Sequence, residues 1–297
     1  MSFSSETKEE LSKISNLSNK KALKMELFGY FLTCNVGIYK KYISFSTESE
    51  YNINRFSKIL NNLNILEYSI EIQRKVYTIK FKEENVIEIF QIISNNLEES
   101  LKKIEIPKEE NLKKSIVRGA FLGGGSINNP ENKYHAEIIF RGINEANIVK
   151  NILIQYEINL KILEMQDKVL LYSKEGETIS KLLAFIEASS SMLKFEEIRV
   201  VRDMRNNINR VVNCETANLN KTIDTALRQI EDIKLLKRHH KIETLSDNLK
   251  EIANLRVAYP EASLQELGKM LKNPVGKSGV NHRLKVISAL AEELRKI

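Results

Sequence analysis

Arg118-Gly-Ala-Phe-Leu-Gly-Gly-Gly-Ser126 decides how this chain is read. The helical pattern Asn111 to Leu122 runs straight into three consecutive glycines. A phosphate loop does not fit. The glycines follow a helix, no Gly-Lys-Ser/Thr comes after them, and Asn128 stands where the last glycine of Gly-x-Gly-x-x-Gly would fall. Glycines at a helix C-terminus instead let a partner helix come close. The same pattern occurs earlier in the chain. Gly29-Tyr-Phe-Leu-Thr33 overlays Gly119-Ala-Phe-Leu-Gly123 with a shift of 90, and Lys75-Val-Tyr77 overlays Lys168-Val-Leu170 with a shift of 93.

Working outward, the apolar periodicity predicts the same elements twice. A short amphipathic helix over 4–18 precedes the first copy. That copy reads as a helix from Lys20 to Thr33, a strand Tyr42 to Ser46, a helix Asn54 to Leu63, and a hairpin Leu66–Ile72 and Val76–Phe81 turning at Arg74-Lys75. A helix Asn85 to Ile93 closes it. The second reads as a helix Asn111 to Leu122, a strand His135 to Phe140 and a helix Glu145 to Tyr156. A hairpin Leu160–Met165 and Val169–Tyr172 turns at Asp167-Lys168, and a helix Glu177 to Ala188 follows. One copy alone would leave a sheet face and a helix stripe exposed, so the two should pack on each other in a pseudo-twofold α+β body. Glu98 to Glu110, with Pro107 and many charges, reads as the linker.

From Ile198 the texture changes. Arg199, Arg202, Arg205 and Arg210 lead into the amide-rich run 206–218. A helix Lys221 to Leu236 presents Ile223, Ala226, Leu227, Ile230 and Ile233 on one side. Then come a helix capped by Ser246 through Ala258, and the capping box Ser263-Leu-Gln-Glu266 opening a short helix with Leu264, Leu267 and Leu271 inward. A turn 272–277 leads to a final helix capped by Ser278. At 100° per residue, Val280, Leu284, Ile287, Ala291 and Leu294 share one stripe. Ser278, Asn281, His282 and Lys285 lie opposite, flanked by Lys277 and Arg283. Helix, short helix, turn, helix in a basic segment outlines a helix-turn-helix whose last helix reads base edges from its N-terminal end. The expected domains are 1–97 and 111–197 for the repeats, 98–110 for the linker, 198–244 for a basic connector and helix, and 245–297 for the helix-turn-helix.

Charge points the same way. Residues 199–297 hold 19 Lys and Arg against 12 Asp and Glu, which is the whole +7 of the chain; residues 1–198 hold 27 of each. A basic tail on a neutral body suggests a polyanion partner. Lys277, Arg283, Lys285, Arg202, Arg205, Arg210 and Lys221 are the expected charge contacts, with Ser278, Asn281, His282 and Ser263 at the groove. No apolar run is long enough for a membrane span. The N-terminus lacks the basic start and apolar stretch of a signal peptide. Cys34 and Cys214, one in each half, make neither a disulfide framework nor a zinc set. The expectation is a cytoplasmic, nucleoid-associated protein without cofactor or metal.

A repeated helix ending in small residues, followed by strand, helix and hairpin, resembles the LAGLIDADG homing-endonuclease fold. That motif places its internal glycine on Gly29 and Gly119, and its catalytic acids on Cys34 and Gly124. Neither residue is a carboxylate, so no cleavage is expected. More specifically, Arg118 to His135, Arg210 to Thr222 and Pro274 to Leu284 resemble three signatures of the WhiA family of bacterial regulators. The resemblance implies a degenerate LAGLIDADG-like body joined to a C-terminal helix-turn-helix. It also implies a non-enzymatic, sequence-specific regulator bound to double-stranded DNA and tied to cell division, chromosome segregation and sporulation where it occurs. The equal charge of the body suggests a scaffold or protein-docking surface, and an auxiliary DNA contact through Lys40, Lys41, Arg74 and Arg141 on its concave face stays open. Two alternatives remain: a metal-dependent nuclease using acids outside the motif, with His135 and Glu137 as ligands, and a scaffold whose tail binds protein or RNA.

Overall fold

A computed structural model describes residues 2–39, 41–92 and 97–296. The chain forms two compact units, Met1–Asp203 and Met204–Ile297.

In the first unit, α1 (Phe3–Ser12) and α2 (Lys20–Phe31) precede β1 (Val36–Tyr39), β2 (Tyr42–Thr47), α3 (Glu50–Asn62), β3 (Tyr68–Gln73), β4 (Val76–Lys82) and α4 (Glu83–Phe90). After α5 (Leu97–Lys102), the order repeats as α6 (Glu110–Gly124), β5 (Gly125–Ile127), β6 (Ala136–Phe140), α7 (Ile143–Ile154), β7 (Lys161–Glu164), β8 (Val169–Ser173) and α8 (Gly176–Phe185). Each copy builds a four-stranded antiparallel sheet with the same strand order, β1-β2-β4-β3 and β5-β6-β8-β7. The body is therefore a duplicated α+β fold.

The register sorts side chains cleanly. Ile43, Phe45, Ile79 and Phe81 enter the core of the first sheet, as do Ile138, Phe140 and Leu171 of the second. Ser44, Ser46, Thr78 and Lys80 lie on the open face. The hairpin turn falls at Arg74-Lys75 as expected, both residues at positive φ, 46° and 73°, as a type I′ hairpin turn requires.

The two copies meet along α2 and α6. A Cβ on Gly29 would stand 2.1 Å from the Ile116 carbonyl oxygen, and one on Gly119 would stand 1.9 Å from that of Glu26. The backbones touch because neither residue has a side chain. Polar side chains bridge this seam. The Tyr30 hydroxyl donates to Asn52 Oδ1 at 2.6 Å, and Asn52 Nδ2 donates to the Leu122 carbonyl at 2.7 Å. The fully buried Glu26 carboxylate receives Arg55 Nε at 2.8 Å and Nη2 at 2.9 Å from its own repeat, and Arg118 Nε at 3.1 Å from the other.

Several expectations need correction. Strands β1 and β5 were not expected; Val36-Gly-Ile-Tyr and Gly-Ser-Ile are short and glycine-bearing, so their periodicity is weak. The first helix ends at Ser12 rather than continuing to 18. The linker holds α5, which buries Leu97 and Leu101. The amide-rich run 206–218 is helical, inside the 50-residue α9 (Ser189–Arg238). Ile223 and Leu227 are exposed, and only Ala226, Ile230 and Ile233 of that face are buried. Lys40 and Ile93 lie outside the described residues.

Candidate nucleic-acid interface

The second unit gathers the end of α9 with α10 (Asp247–Ala258), α11 (Leu264–Met270) and α12 (Lys277–Arg295). Its core is Ile233, Leu236, Ile252, Ala253, Leu267, Leu271, Val280, Leu284, Ile287 and Ala291. Four of the five stripe residues expected on α12 are thus buried, and Leu294 packs against them half-buried. The capping box forms: Ser263 N–H donates to Glu266 Oε2 at 2.8 Å and Glu266 N–H to Ser263 Oγ at 3.3 Å. That hydrogen bonding holds the Glu266 carboxyl below its ordinary range.

Two bonds set α12 in place. Arg295 Nη2 donates to Asp232 Oδ1 at 2.6 Å, tying its C-terminal end to α9. Lys272 N–H donates to Glu251 Oε1 at 2.7 Å, tying the preceding turn to α10. Gly276, not Ser278, is the N-cap of α12, which begins one residue before Ser278. Ser278 therefore lies inside the first turn with its hydroxyl free for other use.

Burying the Val280 stripe turns the opposite face outward. Lys277, Ser278, His282 and Lys285 are exposed; Asn281 and Arg283 are half-buried. Among the described residues, none of these six side chains makes a hydrogen bond or ion pair. The first two turns of α12 thus present donors with no competing internal acceptor, and its free backbone N–H groups add positive potential. Glu292 and Glu293 are exposed two turns later.

The cations of α9 divide. Arg205, Arg210 and Lys221 are exposed. Arg202 is engaged within the first unit: Nη1 donates to the Pro130 carbonyl at 2.6 Å, and its guanidinium stacks 4.4 Å over the Tyr134 ring. The structure does not place it with the free basic side chains. Gln229 and Arg256, which line a cleft beside Ser263 and Lys277, escaped the sequence reading. The signal was present for Gln229, which sits three residues after Ala226 and four before Ile233 on the face expected to be buried.

On the body, the open sheet face neutralises its own lysines. Lys80 Nζ pairs with Glu71 at 3.0 Å and Lys82 Nζ with Glu67 at 2.7 Å. Arg141 Nη2 donates to the Phe31 carbonyl, while Lys41 and Arg74 are exposed at positive φ. Cys34 is exposed. Gly124 is buried, and a Cβ there would stand 2.6 Å from the Ile139 carbonyl oxygen, leaving no room for a carboxylate side chain. His135 Nε2 lies 3.1 Å from Glu137 Oε2. Among the described residues no three His, Cys, Asp or Glu side chains come together to hold a metal, and no helix is long and apolar enough to cross a membrane.

Residues 113–205 match the WhiA LAGLIDADG-like domain and residues 208–291 the WhiA C-terminal HTH domain. The chain is 40% identical to the probable cell division protein WhiA of Clostridium tetani, over all of this chain and 99% of that one. It is 38% identical to that of Clostridium novyi, with the same coverage. Among solved structures it is similar to full-length DUF199/WhiA from Thermatoga maritima: TM-score 0.60, 28% identity, 99% of each chain covered. Similarity at this level over the whole length, with both domain matches, makes the chain a member of the WhiA family.

Proposed function

We propose that this chain is a non-enzymatic, sequence-specific DNA-binding regulator acting in cell division and chromosome segregation, and in sporulation where the host sporulates, at the nucleoid in the cytoplasm. The support for the biological role is the description of its relatives as probable cell division proteins. The observation that carries the DNA reading is the first two turns of α12, where Lys277, Ser278, Asn281, His282, Arg283 and Lys285 stand without internal partners over a buried stripe. Asn281, His282 and Ser278 face base edges, and Lys277, Arg283 and Lys285 take phosphates. Arg205, Arg210 and Lys221 extend the charge, and Ser263 flanks the groove-facing end. Replacing Asn281 by alanine should cost about 1–3 kcal/mol at one base position. Fluorescence anisotropy on a panel of single-base operator variants checks this; equal loss on every sequence would make Asn281 a backbone contact.

The LAGLIDADG-like body then serves as scaffold or protein-docking surface, since its open face carries lysines already paired with glutamates. It does not cut DNA in this reading, because Cys34 and Gly124 occupy the positions where the motif puts its acids. Supercoiled plasmid incubated with magnesium should stay intact; specific, dose-dependent nicking would favour the nuclease alternative. Competition between duplex DNA and RNA separates the reading from an RNA-binding scaffold.

A further inference from the structure

Ala226, Ile230 and Ile233 bury one side of α9 in the second unit, and Gln229 sits among them at 8% exposure. Its side-chain Oε1 is buried without a hydrogen-bond partner. On α10, Arg256 is 3% exposed. Its Nη1 donates to the carbonyls of Pro260 at 3.3 Å and Ala262 at 2.8 Å, which spends one end of the guanidinium on the loop before α11. Its Nε is buried with no partner. A buried polar atom left unsatisfied is costly, and native folds rarely tolerate one without something to fill the gap.

Both side chains line one cleft of about 320 Å³. Lys221 and Lys277 also line it, as do Thr225 and Ser263, and none of its lining residues is acidic. Three cations thus converge on a concave space with the Ser263 hydroxyl in the wall and an orphaned guanidinium N–H; the Thr225 hydroxyl is spent on the Lys221 carbonyl at 2.7 Å. The Gln229 amide can present its NH₂ end to the cleft by a half-turn of the side chain. A Lys, Arg, hydroxyl and amide set with no carboxylate is the chemistry of a phosphate site. The space exceeds a bare ion and suits a phosphate with part of its carrier attached.

We propose that this cleft binds a phosphate group, with Gln229 and Arg256 as its floor and Lys221 and Lys277 as its rim. The site deepens the DNA reading, on which it rests only for the carrier: a backbone phosphate of the bound duplex, or a phosphorylated small molecule. Neither Gln229 nor Arg256 belongs to the exposed face of α12, so the site adds a contact from the helical support itself.

The test uses the full chain and inorganic phosphate in isothermal titration calorimetry at fixed ionic strength, with chloride as control. The expected result is saturable binding of one phosphate per chain, weakened at least tenfold in Gln229→Glu, which preserves size while placing a negative charge on the floor. Absence of phosphate binding, or equal binding by this variant, overturns the site. Should Gln229→Glu fail to fold, Lys221→Met, at an exposed position, replaces it with the same two outcomes. A duplex arm then identifies the carrier. Phosphate competing with duplex, and a salt slope about one unit shallower in the variant, assign a backbone phosphate. Phosphate binding that leaves duplex affinity unchanged assigns a free phosphorylated ligand. A chain that binds phosphate and no duplex removes the DNA reading and keeps the site.

Discussion

At the scale of single residues, Glu26 shows most clearly how the body is held. Burial alone would raise its carboxyl pKa, yet the guanidiniums of Arg55 and Arg118 outweigh that and hold it below the ordinary 4.5. Removing one member of a buried charge cluster strands the others, at about 3–5 kcal/mol. Glu26→Gln should therefore destabilise the body by that order in urea unfolding. A depressed carboxyl stabilises the fold above its unfolded pKa and loses that contribution as pH falls through the folded value. The wild-type loss should open below about pH 4.5 and deepen with acid, while Glu26→Gln should lack this component; matching pH profiles of the unfolding midpoint would refute the assignment. None of this was legible beforehand. Glu26 lies in a helix pattern among lysines, and only the fold brings Arg118, 92 residues away, against it.

At the scale of elements, what the sequence disclosed depended on periodicity. Val280, Leu284, Ile287 and Ala291 sit at helical spacing, and all four are buried. The Ser263 capping box formed because both of its partners are local. Strands β1 and β5 escaped because three or four residues containing a glycine carry too little alternation. The 206–218 run hid its helicity because asparagine favours turns and caps locally, whereas here it continues a helix anchored by packed residues at either end, Phe195 and Ile233. The α2–α6 seam was implied by the resemblance to the LAGLIDADG motif, which puts its internal glycine on Gly29 and Gly119, and the backbones do meet at those two residues. Gly119→Ala tests that seam: its methyl group would displace the Glu26 backbone, costing about 3 kcal/mol or more. A thermal midpoint unchanged by this substitution would mean that the helices do not approach as described.

At the scale of the whole molecule, charge is the organising quantity. The +7 excess lies entirely beyond residue 198, while lysines on the open sheet face of the body are matched by glutamates. The sequence located that asymmetry but could not tell free cations from spent ones. Arg202 looks like its neighbours in a basic run, and only the structure shows it committed to Pro130 and Tyr134. Six cations then remain for phosphates: Arg205, Arg210, Lys221, Lys277, Arg283 and Lys285. Each phosphate neutralised on B-DNA contributes about −0.9 to the log–log dependence of affinity on salt. The most direct measurement is duplex affinity of the full chain across a salt series. A slope of about −5 is expected, and a flat response would contradict the assignment of the basic tail to DNA.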